Sequence, residues 1–300
     1  MIRITHLSKA YGSVEALHDI DLEIQAGELF GLIGPDGAGK TTLMRILTTL
    51  ILPDSGTATM MGLDVVRDFR RLRSQVGYMP GRFSLYYDLS VAENLQLFAT
   101  IFGTTVAANY DLIRDIYSQI EPFKKRRAGA LSGGMKQKLA LSCALIHAPE
   151  VLILDEPTTG VDAVSRREFW DMLDRLRARG ITILVSTPYM DEASRCDRVA
   201  LIQGGRILQV DTPAGIVGRY PAPLLAVRGS RTYQLLQDLR AYPHALSVFP
   251  FGDTVHYSDK RPETDPAALV QYLRARGHDD ADVAPIAAGI EDCFMALMRT

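Results

Sequence analysis

Only three cysteines occur in this 300-residue chain, Cys143, Cys196 and Cys293, and they stand too far apart for any metal-binding or thiol-redox spacing. A disulfide framework and a cysteine-held metal are thereby excluded. The three are expected to be buried, reduced thiols of a cytosolic protein. Long apolar runs are also missing. The most apolar stretch, Leu139 to Leu154, is broken by His147, Pro149 and Glu150, short of the roughly 18 to 20 residues of a membrane span. Met1 to His6 alternates like a strand and has no apolar signal core, so any membrane role is expected to come through a partner. No charge of either sign dominates: 33 Lys and Arg stand against 35 Asp and Glu, a formal net charge of −2. That balance gives no global electrostatic basis for binding nucleic acid or an anionic membrane surface. Internal repeats, low-complexity segments and sustained heptads are absent too. What is left is a folded chain, 47% hydrophobic, able to bury a substantial core.

Apolar periodicity places strands at Ile2 to Leu7, Leu17 to Ile24 and Leu29 to Ile33, and a short one near Thr57 to Met61 after the turn Pro53-Asp54-Ser55-Gly56. From about Ser90 to His147 the pattern turns helical, as a helical insert (about 90–147) would. Val151 to Leu154 and Ile181 to Val185 are continuous apolar runs bounded by helices, as in strands buried on both faces of a parallel sheet. Gly204-Gly205 reads as a hairpin turn. The composition changes at Tyr220-Pro221-Ala222-Pro223, where a domain boundary is expected, giving domains of 1–220 and 221–300. Beyond it the pattern reads strand (Leu224 to Val227), helix (Thr232 to Arg240), two strands (Leu246 to Pro250, Thr254 to Tyr257), helix (Pro266 to Arg276), strand (Asp282 to Ile286) and helix (Ile290 to Arg299). The first six have the β-α-β-β-α-β order of a ferredoxin-like unit. The expected fold class is α/β, a core with an antiparallel β subdomain and a helical insert, followed by a small α+β domain.

Between the apolar strand Leu29 to Ile33 and the helical run from Leu43 stands Gly34-Pro35-Asp36-Gly37-Ala38-Gly39-Lys40-Thr41-Thr42, a match to G-x-x-x-x-G-K-[ST] in the strand–helix setting of a P-loop. Its glycines let successive N–H groups face phosphate oxygens at the positive end of a helix dipole. Lys40 is expected to reach the β- and γ-phosphates, and Thr41 to put its hydroxyl on Mg²⁺. Val151-Leu152-Ile153-Leu154-Asp155-Glu156 sets two carboxylates at the C-terminal end of a buried strand, where α/β proteins place ligand-binding residues. Asp155 would hold the metal, and Glu156 would accept a proton from the attacking water. In Leu131-Ser132-Gly133-Gly134-Met135, Ser132 is a candidate N-cap and the glycines expose N–H groups at a helix start.

These motifs, with LILDEPTTGVD at Leu152 to Asp162 and Tyr11 ahead of them, resemble the ATP-binding subunit of an ABC transporter over about residues 1–220. The resemblance implies ATP with Mg²⁺ as ligands and two such domains paired head to tail. ATP would lie between the P-loop of one and the Ser132-Gly133-Gly134-Met135 element of the other. It implies that Tyr11 stacks on adenine, that Asp162 contacts the opposite site and that the helical insert receives a membrane-spanning permease subunit. The expected location is cytoplasmic, peripheral on the inner face of the cell membrane. Ser186-Thr187-Pro188-Tyr189-Met190-Asp191-Glu192-Ala193 and Ile290 to Phe294 resemble drug-exporter ATPases, which implies efflux of a drug-like, hydrophobic or cationic compound. An ATP-binding regulatory or assembly protein without transport stays open beside that reading.

Two positions depart from the family pattern. After Val76-Gly77-Tyr78-Met79-Pro80 the family places a glutamine that reaches the metal and the attacking water, and this chain has Gly81. After Val185-Ser186-Thr187 it places a histidine that bonds the γ-phosphate, and this chain has Pro188, with no side-chain donor and no N–H. Binding is expected to outlast turnover, and a second ATPase unit is expected to supply a complete site, a homodimer of impaired sites being the runner-up.

Overall fold

The computed structural model describes residues 1–82, 84–262 and 265–298. Its contacts divide the chain into two compact units, Met1–Pro213 and Ala214–Thr300. The first opens with strands β1 (Ile2–Tyr11), β2 (Val14–Ile24) and β3 (Leu29–Ile33), helix α1 (Lys40–Leu47), then β4 (Ser55–Met60), β5 (Leu63–Asp64), α2 (Phe69–Arg73) and β6 (Val76–Met79). Helices α3 (Val91–Ile101), α4 (Tyr110–Tyr117) and α5 (Gly133–Leu145) follow, and then β7 (Val151–Asp155), α6 (Ala163–Ala178), β8 (Thr182–Thr187), β9 (Arg198–Gln203) and β10 (Arg206–Asp211).

Two sheets organise this unit. Strands β2-β1-β4-β5 form an antiparallel sheet, and β10-β9-β3-β8-β7-β6 form a mixed one in which β3, β6, β7, β8 and β9 run parallel. Every residue of β3, β7 and β8 is buried, so their unbroken apolar runs are the ones a parallel sheet covered on both faces requires. Ile2, Leu7, Ile20 and Ile24 of the antiparallel sheet pack with Leu43, Met44 and Leu47 of α1 and with Phe30, Leu32 and Ile153 of the mixed sheet in one core. Ladder register then fixes the site: Ile33 pairs with Thr187 and Asp155 with Ser186. The C-terminal ends of β3, β7 and β8 are therefore neighbours at one edge.

α3 starts at a full capping box. Ser90 Oγ accepts the Glu93 N–H (3.2 Å) and Glu93 accepts the Ser90 N–H (2.7 Å). The buried Asn94 amide accepts from Tyr86 N–H and donates to the carbonyls of Tyr86, Leu89 and Ser90, fixing the loop that enters the insert. Cys143, Cys196 and Cys293 are buried free thiols. No helix among the described residues is long and apolar enough to cross a membrane.

In the second unit, α7 (Pro213–Gly218), which begins at the division, leads to β11 (Leu224–Arg228), α8 (Thr232–Arg240), β12 (Ala245–Phe251), β13 (Thr254–Asp259), α9 (Pro266–Ala275), β14 (Asp282–Ile286) and α10 (Ile290–Leu297). The sequence pattern carries the last helix to Arg299, which lies outside the described residues. The sheet order is β12-β13-β11-β14, all antiparallel, the split β-α-β arrangement of a ferredoxin-like unit. Leu235 and Leu239 of α8 and Leu269 and Leu273 of α9 bury one sheet face with Leu225, Val227, Val255 and Tyr257.

Asp259 sits at the edge of that core, 1% exposed. It accepts from Tyr257 O–H (2.9 Å) and from Nε and Nη2 of Arg261 (2.9 and 2.7 Å). Burial works against its charge, but the Arg261 guanidinium and N–H and the Tyr257 hydroxyl outweigh it and hold the carboxyl down at about 2. A depressed carboxylate pKa stabilises the folded state above the unfolded value, near 4, and the gain is lost as pH falls through the folded value. Asp259→Asn is therefore expected to destabilise this unit by about 2 kcal/mol at neutral pH. Denaturant titrations should show the difference from wild type shrinking between about pH 4 and pH 2.

Candidate nucleotide site

The chain leaves β3 at Gly34, whose N–H bonds the Thr187 carbonyl (3.4 Å), and wraps back to the start of α1. Gly39, the N-cap of α1, has φ +106°, and a side chain there would put its first carbon 2.5 Å from the Ala16 carbonyl oxygen. Only glycine satisfies both the backbone and the space. Gly205 N–H bonds Ala38 O (3.0 Å) and His18 N–H bonds Gly205 O (2.8 Å), so the β9–β10 hairpin and β2 brace the loop from outside. The first N–H groups of α1 have no intrahelical acceptor and open into a cleft of about 270 Å³ walled by Val14–Ala16, Asp36–Thr42, Glu156 and Gly204.

Lys40 is 3% exposed, and an ammonium so placed needs partners. It donates to the carbonyls of Gly34 (2.8 Å) and Pro35 (3.0 Å) and pairs with Glu156 Oε1 (3.0 Å). Thr41 Oγ1 donates to Asp155 Oδ1 at 3.1 Å. The two residues converge as an all-oxygen pair, the donor chemistry that Mg²⁺ takes.

Ser186, which the sequence reading gave no role of its own, links the carboxylates. It is fully buried, its hydroxyl donates to Asp155 Oδ1 (2.7 Å), and Ser186 Oγ itself accepts the Glu156 N–H (3.0 Å). Glu156 N–H also reaches the Ser186 carbonyl (3.1 Å). These bonds hold Glu156 in a left-handed conformation, φ +49°, which a non-glycine residue adopts only when its surroundings enforce it. A hydroxyl at the end of an otherwise apolar buried run is the signal that could have found it. Burial, with the Asp155 charge beside it, pushes the Tyr78 hydroxyl up to about 12, so this neighbour stays neutral. Below the strand ends, buried Thr158 donates to buried Glu192 (3.1 Å), tying the chain after Asp155-Glu156 to the segment after Pro188.

Gly34 to Thr42, Asp155 and Glu156 are thus brought together. Tyr11 and Ser132 to Met135 are not among the described residues lining the cleft. Tyr11 is 47% exposed at the end of β1, with Lys9 Nζ 5.7 Å from its ring centre. Ser132 caps α5 by accepting the Met135 N–H (3.4 Å), and a side chain at Gly134 would strike Ser165 Oγ at 2.8 Å. Asp162 caps α6 through the N–H groups of Val164 and Ser165, with the Ser165 bonds lowering its pKa. Gly81 lies against Asp155: a first side-chain carbon there would stand 3.0 Å from Asp155 O and 3.8 Å from Asp155 Oδ2. Pro188 follows Thr187, whose Oγ1 accepts the Tyr189 N–H (3.0 Å).

The ABC transporter family profile matches residues 17–159. The probable multidrug ABC transporter ATP-binding protein YbhF of Escherichia coli K12 is 45% identical over 306 residues, covering 99% of this chain and 52% of that protein. The chain thus spans about half the length of that relative. The Nod factor export ATP-binding protein I of Burkholderia lata is 34% identical, covering 99% of this chain and 96% of that one. A solved ATP-binding subunit of an ABC transporter superposes with TM-score 0.67 at 28% identity, covering 73% of this chain and 93% of that one. A dimeric post-hydrolysis ATP-binding cassette bound to ADP and Pi, TM-score 0.64 at 24% identity over 71% of this chain and 98% of that one, shares the fold. The P-loop, the carboxylate pair and these matches agree: the chain belongs to the ATP-binding proteins of ABC transporters.

Proposed function

We propose that this chain binds and hydrolyses ATP to power an ABC exporter of drug-like, hydrophobic or cationic compounds through a membrane-spanning permease, from the inner face of the cell membrane. The observation that supports this most is the meeting of Lys40, Thr41, Asp155 and Glu156 at the adjoining ends of β3, β7 and α1. In this reading Lys40 exchanges Glu156 for the β- and γ-phosphate oxygens of ATP, which frees the Glu156 carboxylate to take a proton from the attacking water. Thr41 and Asp155 would hold Mg²⁺, which when bound would supply charge neutralisation at the phosphates. The cleft admits the phosphate chain, Tyr11 offers its ring to adenine, and Ser132-Gly133-Gly134-Met135 serves the site of a second ATPase unit. Names of the relatives, multidrug and Nod factor export, support the direction of transport.

A separate cavity of about 630 Å³ between α1, α2 and the insert supports the permease as partner. Leu50, Phe98 and Phe102 give it an apolar lining and Arg70 and Arg73 a basic rim. Coexpression with its multi-span permease followed by purification in detergent tests this part of the reading. A stoichiometric complex is the expected result, and recovery with a soluble partner alone contradicts it.

Ser186 serves this site as a positioning residue. Hydrogen bonds to charged groups contribute about 1.5–3 kcal/mol, so Ser186→Ala is expected to slow single-turnover hydrolysis at least about tenfold. ATP affinity should stay within about threefold, and Ser186→Thr, which keeps the hydroxyl, should restore the rate.

A further inference from the structure

Away from the ATP cleft, four consecutive basic residues, Lys124, Lys125, Arg126 and Arg127, are all exposed, and none makes an ion pair with another described residue. The backbone beneath them is fixed. Val91 N–H bonds Arg126 O (3.0 Å), Ala92 N–H bonds Lys124 O (3.0 Å), and Ala128 N–H bonds Leu89 O (2.8 Å). The same surface presents Phe123, 38% exposed with the Arg126 guanidinium 4.6 Å from its ring centre, and Tyr87, 52% exposed. The carboxylates nearby are Asp88, which is exposed, Glu93, which accepts the Ser90 N–H and feels the Arg127 charge, and Glu121, which accepts the Tyr110 hydroxyl (2.7 Å each bond), three negative charges against four positive ones.

We propose that this basic and aromatic strip binds the anionic headgroups of a lipid leaflet. The proposal rests on the exporter reading only for placing the chain at a membrane. With a formal net charge of −2 the molecule as a whole is not drawn to an anionic surface, so attraction must be local. The strip lines neither the ATP cleft nor the cavity beside α2. Four long flexible cations suit a fluid array of like charges. Each Lys or Arg near an anionic leaflet strengthens binding about fivefold, and aromatic rings favour the headgroup depth.

Flotation of the purified chain with vesicles of zwitterionic phosphatidylcholine, and of the same lipid with about one-third phosphatidylglycerol, tests this. Near 0.15 M salt, where screening acts beyond about 8 Å, partitioning onto anionic vesicles should exceed that onto zwitterionic ones at least about tenfold. Replacing Lys124, Lys125, Arg126 and Arg127 by Gln should bring the two within about twofold, and Phe123→Ala should weaken the anionic case. Replacing Arg67 and Arg71 by Gln, exposed basic residues elsewhere, should change little. Absence of anion-selective binding, or its loss only in the Arg67/Arg71 variant, overturns the proposal. So does a four-residue variant that keeps vesicle binding but no longer holds the permease in detergent, which would assign the strip to an acidic protein segment. ATP affinity measured on the same samples separates the two ideas: its absence in wild type counts against the exporter reading, and its presence without vesicle binding counts against the strip alone.

Discussion

Gly81→Gln combined with Pro188→His is expected to raise ATP turnover by this chain about 10²-fold or more, with ATP affinity within a few-fold of wild type. Preorganised groups aimed at developing charge each commonly contribute about 10² to 10³ in rate. Gly81 has no side chain, but a first side-chain carbon built on its backbone falls 3.8 Å from Asp155 Oδ2. A glutamine there starts within reach of that carboxylate, at the cost of a few tenths of an ångström of movement by the Asp155 carbonyl, 3.0 Å from the added carbon. Pro188 follows the strand whose Thr187 carbonyl bonds Gly34 N–H, so a histidine there starts beside the phosphate loop. Lys40, Thr41, Asp155, Glu156 and Ser186 are already assembled, and the two substitutions would add groups to an intact frame. Steady-state phosphate release measures the gain, and a double variant no faster than wild type contradicts it.

Lys40→Ala is expected to weaken ATP binding about 10²- to 10⁴-fold, the range for losing two charge-assisted contacts of about 1.5–3 kcal/mol each. A second effect separates this residue from an ordinary surface lysine. Its ammonium is buried and supplies donors to the Gly34 and Pro35 carbonyls and to Glu156. Removing it leaves those acceptors short of a donor, so the variant should also lose about 1–3 kcal/mol of stability without nucleotide. Lys40→Arg keeps the charge but brings a planar, larger head into the same space, and should recover little affinity. Titration calorimetry with ATP, run beside chemical denaturation of the ligand-free proteins, reads both effects. An affinity loss below about tenfold would place the phosphates elsewhere.

Much of this site was legible because its local requirements are strict. A loop that must carry positive φ at Gly39, where an added side-chain carbon would fall 2.5 Å from a carbonyl oxygen, admits only glycine, and a lysine directly after it has few uses outside a phosphate loop. The apolar runs Val151 to Leu154 and Ile181 to Val185 read as central strands because both faces of the strands they form are covered. The second unit's order was readable for a related reason: its helices and strands each have one apolar face and clear breaks between them.

What escaped the sequence depends on partners distant along the chain. β1 continues from Ser8 to Tyr11, held to β2 across bulges, although that stretch is half-exposed or exposed and shows no apolar alternation. Helix α2 has five residues, of which Leu72 is buried, too few for a helical period. Ser186 gained its meaning only when β8 paired with β7 in a register that set it opposite Asp155. The basic strip vanished in a net charge of −2, because composition averages over a surface that folding makes uneven.

We infer that this chain keeps the means to bind ATP but lacks two groups for fast turnover. The decisive experiment is steady-state hydrolysis by the purified chain, with ATP affinity measured on the same sample and Glu156→Gln as control. Saturable ATP binding with turnover well below about 1 s⁻¹, the low end of common enzyme rates, is expected. Turnover at or above that rate in wild type, abolished by Glu156→Gln, would show that Glu156 suffices and that no second, complete ATPase unit is needed.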